Sequence, residues 1–82
     1  MTDYAKAQRA ANARAIFGHP VFAEVLDELE RAAIDACVYA KPQDAEIRAA
    51  YAAEVRAIRG LRAKFAGIIA DADQSTRKPG IA

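Results

Sequence analysis

Lys41-Pro42-Gln43-Asp44 separates two stretches of helical apolar spacing. A proline lacks a backbone donor and disfavours helix at the residue before it, so a helix arriving from the N-terminal side ends short of this point. A turn of about two to five residues makes the flanking helices antiparallel neighbours. The expected fold is therefore all-α: an antiparallel helical hairpin of two long helices, with a short N-terminal helix before it.

On the N-terminal side of the break, Phe22, Leu26, Leu29, Ala33, Ala36 and Ala40 recur in steps of four and three. That spacing makes one apolar seam, widened by Val25 and Cys37. The seam shrinks from Phe and Leu to Ala toward the break, which allows closer helix approach there. Glu24, Asp27, Glu28, Glu30 and Asp35 lie outside the seam with Arg31 as the single base, so this arm carries a net charge of −4. Beyond the break, Ile47, Tyr51, Val55, Ile58, Leu61, Phe65, Ile68 and Ile69 form the facing seam. Before both, Gly18 and Pro20 punctuate the chain: Gly suits the position after a helix and Pro the first turn of the next. A first, weakly amphipathic helix runs from Asp3 to Phe17, with Thr2 as N-cap. Tyr4, Ala7, Ala11, Ala15 and Ile16 lie to one side of it and serve as its apolar face. The expected helices span about residues 3–17, 20–39 and 43–73 of one domain covering residues 1–73, followed by an extended tail over 74–82.

Folding about the break pairs residues whose numbers sum to roughly 85. Glu54 then falls opposite Arg31, and Arg62 opposite Glu24. Both are expected register pairs, worth roughly 0–1 kcal/mol each as exposed ion pairs.

Composition narrows the function. Alanine fills 22 of 82 positions; it favours helix but supplies little apolar area. Such a chain forms helices readily and gains from neighbours that cover them. The formal net charge of +1 argues against a dedicated nucleic-acid coat. The single cysteine, Cys37, allows no intramolecular disulfide; a reducing setting is expected. No apolar run approaches the roughly 18–20 residues of a membrane span, and Met1 to Lys6 lacks the order of a secretion signal.

Two surfaces are candidates for partner binding. Arg48, Arg56, Arg59 and Arg62 fall within about 120° on the third helix, with Lys64 off the stripe. Their planar forks suit carboxylate or phosphate. No aromatic is interleaved with them, so nucleic acid is not the expected partner. Ala49, Ala53, Gly60, Ala63 and Gly67 form a small-residue stripe roughly opposite the apolar face. Each mid-helix glycine costs about 1 kcal/mol relative to alanine, so Gly60 and Gly67 are expected to admit something that packs closely. Elsewhere the chemistry is sparse. His19 has no second imidazole and reads as a capping residue, and Cys37 reads as a small core residue. No catalytic, cofactor-binding or metal-binding residue is assigned, and no enzyme activity is expected.

Three stretches carry a family likeness: Ile16-Phe17-Gly18-His19-Pro20-Val21-Phe22, Lys41-Pro42-Gln43-Asp44-Ala45-Glu46-Ile47-Arg48, and Ile58-Arg59-Gly60-Leu61-Arg62. In them the chain resembles small helical proteins encoded among the head and tail morphogenesis genes of tailed phages and gene-transfer particles. The resemblance implies a virion-associated structural or assembly role, located in the virion or host cytoplasm. Its partner would be a larger phage structural protein or further copies of itself. A small oligomeric protein binding a phosphate-bearing ligand, or regulating a partner, is the alternative.

Overall fold

The computed structural model describes residues 2–76, with side chains as far as residue 73. Within them are three helices and no strand: α1 (Asp3–Phe17), α2 (Pro20–Tyr39) and α3 (Ala45–Thr76). α3 starts two residues later than expected. It runs through Gln74–Thr76, the first part of the segment expected to be an extended tail. The rest of that expected tail, residues 77–82, lies outside the described residues.

Local chemistry sets the ends. The Thr2 hydroxyl accepts from the Ala5 N–H at 3.0 Å and caps α1, with Asp3 in the first turn. Gly18 closes α1 by donating to the Arg14 carbonyl at 2.8 Å. Its φ of −85° is ordinary, so conformation does not demand glycine here. Space does: a Cβ would lie 2.8 Å from the Arg14 carbonyl oxygen. One residue later the His19 ring accepts from the Val21 N–H through Nδ1 at 3.2 Å, with Pro20 in the first turn of α2. His19 is therefore the N-cap of α2, an assignment that suits a lone histidine at a junction. After Tyr39 the chain extends through Ala40 and turns. The turn is held by the Asp44 N–H on the Lys41 carbonyl at 2.9 Å, and the Arg48 N–H on the Asp44 carbonyl begins α3.

α2 and α3 pack closely, and α1 lies against the last part of α3. The joint between the three is aromatic. Phe17, Phe22 and Phe65, one from each helix, are the only phenylalanines in the chain. Phe17 stacks on Phe65 at 5.4 Å between ring centroids, and Phe22 lies 6.4 Å from Phe17 and 6.0 Å from Phe65. Such pairs contribute about 0.5–1.5 kcal/mol each beyond the area they bury. The rest of the core is thin: of the seven buried apolar residues among the described ones, Ala10, Ala13, Ala33 and Ala72 are alanines, leaving Leu26, Val55 and Ile58 as the larger ones.

α1 packs through a different face from the expected one. Ala10 and Ala13 are buried and Phe17 half-buried, whereas Tyr4 (79% exposed), Ala7, Ala11, Ala15 and Ile16 face outward. Phe17 decides this. It carries far more area than any alanine, and Ala10 and Ala13 lie seven and four residues before it, on its own side of the helix.

Candidate functional site

The α2/α3 pair has two sides of opposite character. On one, Arg62 donates to Asp27 at 2.7 Å and to Glu30 at 3.3 Å, and Arg59 lies 3.6 Å from Glu30. These acids lie one to two turns nearer the break than the expected partner, Glu24. One contact beside the turn agrees with the count: Cys37 Sγ donates to the Arg48 carbonyl at 3.6 Å, a pair summing to 85. The shift arises in the side chains. Helical side chains lean toward their own N-terminus, so an arginine on α3 reaches back toward the turn. Arg59 and Arg62 both do so, and among the described residues neither Glu24–Arg62 nor Arg31–Glu54 forms an ion pair.

Arg48 is also occupied within the chain. Its guanidinium donates to the Lys41 carbonyl at 3.1 Å and the Pro42 carbonyl at 3.3 Å. The first is a second bond to a carbonyl that already accepts from the Asp44 N–H, and both tie α3 to the turn. Three of the four stripe arginines thus hold α3 to α2 or to the turn. Arg56 is exposed and makes no ion pair among the described residues. The basic stripe is mostly an internal fastening, which the acidic composition of α2 already foreshadows.

The glycines are not tightly packed in the described chain. A Cβ at Gly60 or at Gly67 would meet nothing within 4 Å. Gly67 lines a groove of about 250 Å3 between α1 and α3, shared with Lys6, Arg9, Lys64 and Asp71. α1 therefore does not press on the small-residue stripe at either glycine.

The other side of the α2/α3 pair is apolar and only half covered. At its far end Phe22 and Phe65 lie under Phe17 of α1. Toward the turn the same side continues without cover from the described residues. Leu29 follows Phe22 by seven residues and Ile47 precedes Phe65 by eighteen, both close to whole turns of helix, so each faces the way its phenylalanine does. Val25 (44% exposed), Leu29 (47%), Ile47 (50%), Tyr51 (37%) and Leu61 (40%) are all open to solvent. The sequence marks every one of them as seam, but α2 and α3 do not bury them in each other. The seam is wider than one helix can cover, and that surplus is the feature a single-partner hairpin leaves out. Within this side Glu54 is exposed and without an ion pair among the described residues.

What this arrangement can do chemically is bury apolar area against another surface. Among the described residues no group of three His, Cys, Asp or Glu side chains could hold a metal ion. No helix there is long and apolar enough to cross a membrane. No family model matches the chain, and neither the curated proteins nor the solved structures contain a significant match to it.

Proposed function

We propose that α2 and α3 form an antiparallel hairpin and that the chain is a non-enzymatic structural or assembly protein, working by docking the hairpin's bare apolar side onto another protein surface. The hairpin reading is supported by contacts that move down α2 as they move up α3: Cys37 with Arg48, Glu30 with Arg59, and Phe22 with Phe65. The docking reading is carried by one observation, an apolar side two helices wide that α1 covers at one end only. Contiguous exposed apolar surface of this kind marks interaction sites. Its setting in phage particles is supported by the three stretches of family likeness. Within a particle the role is a capsid, connector or packaging one.

The alternative, a phosphate-bearing ligand held by Arg48, Arg56, Arg59 and Arg62, would take three of these arginines from partners they already have. Mass spectrometry of purified particles tests the leading reading: the chain should be present at fixed stoichiometry. Its absence from both particles and assembly intermediates overturns that reading. A portal, capsid or terminase gene beside its own supports it.

A further inference from the structure

We infer that the bare half of the apolar side is covered by a second copy of this chain, each copy laying its α2 over the other's α3. This inference rests on the docking reading above and names the partner. Among the described residues no other segment covers it. α1 is fastened elsewhere, by Phe17 on Phe65 and by Arg14 on Asp73.

The area fits a dimer. At roughly 200 Å2 for a large side chain, the exposed parts of Val25, Leu29, Ile47, Tyr51 and Leu61 amount to on the order of 400 Å2. Two such faces bury about 800 Å2 of apolar surface. At the usual apolar share of about 57%, the whole interface is about 1,400 Å2, within the roughly 1,200–2,000 Å2 of stable complexes.

Charge selects the arrangement. Lys64, exposed beside Leu61 on the α3 rim, makes no ion pair among the described residues. Glu28, exposed beside Val25 on the α2 rim, makes none either. A two-fold axis running along the helices sets α2 of each copy antiparallel across α3 of the other, as in a four-helix bundle. Lys64, leaning toward the turn as Arg59 and Arg62 do, then reaches Glu28 of the second copy. Glu54 falls across from Ala32 and Ala36, whose small side chains leave its carboxylate a path to water.

Sedimentation equilibrium on the full chain at micromolar concentration tests this. The expected mass is twice the 8.8 kDa of one chain. Leu61→Glu should raise the dimer dissociation constant at least about 100-fold with helical circular dichroism unchanged. Tyr4→Glu, on the outward face of α1, should leave it unaltered. Glu28→Lys and Lys64→Glu should each weaken the dimer about 5-fold, and the two together should restore it. A monomer at every concentration, a Leu61→Glu variant that still dimerises, or a charge swap without rescue overturns the inference. A monomer that still enters particles sinks the self-association and keeps the docking reading; a dimer absent from particles does the reverse.

Discussion

The two halves of the apolar side of α2 and α3 read alike in sequence and differ in what covers them. Near Phe22 and Phe65 the side is closed by Phe17 of α1, and three rings meet within 6.4 Å. Near the turn, Leu29, Ile47 and Tyr51 continue the same pattern and stay exposed. An apolar period states that a face must be buried; it does not state by whom. The half that the chain closes for itself adds to its own stability. The other half is where association has something to gain.

That contrast can be broken by substitution. Phe65→Ala removes two ring contacts and opens a hole beneath α1. It should cost about 3 kcal/mol in a denaturant titration at concentrations low enough to keep the chain monomeric. Leu61→Ala, in the uncovered half, should cost less than about 1 kcal/mol under the same conditions. Equal losses would abolish the distinction between the halves. The ion-paired side ranks next. Arg62→Ala loses bonds to both Asp27 and Glu30 and should cost about 1 kcal/mol, shrinking in high salt because the partners are partly exposed. The glycines come after it and change the sign. With open space at both positions, Gly60→Ala and Gly67→Ala should each raise the melting temperature, by about 0.5–1 kcal/mol in stability. A loss at either would reveal a close neighbour that the isolated chain does not contain. Arg56→Ala should change stability by less than about 0.5 kcal/mol, and a larger loss would return Arg56 to the fastening side with its neighbours.

The parts that were legible in the sequence are those set by local chemistry. Thr2, Gly18, His19 and Pro20 sit where capping and junction rules put them, because each acts on backbone groups within four residues. The contact face of α1 was not legible. Alanines ring that helix, and Ala10 and Ala13 differ from Ala7 and Ala11 only in which side of Phe17 they share. The acids facing Arg62 were misplaced for another reason: a count from the turn fixes backbones, whereas long side chains reach a further turn along. The bare half of the seam was visible as pattern and invisible as exposure, since burial depends on the width of the neighbour and not on the period of the strip.

The two-residue joint at Gly18 and His19 has a consequence for motion. Each satisfies the loose backbone groups of its own helix end, Gly18 for α1 and His19 for α2, so neither helix needs the other in order to terminate. What holds α1 to the rest is therefore its side-chain contacts, among them the Phe17 stack on Phe65 and the Arg14–Asp73 pair. The amide protons of α1 should exchange with solvent at a rate governed by the parting of three aromatic rings, ahead of global unfolding.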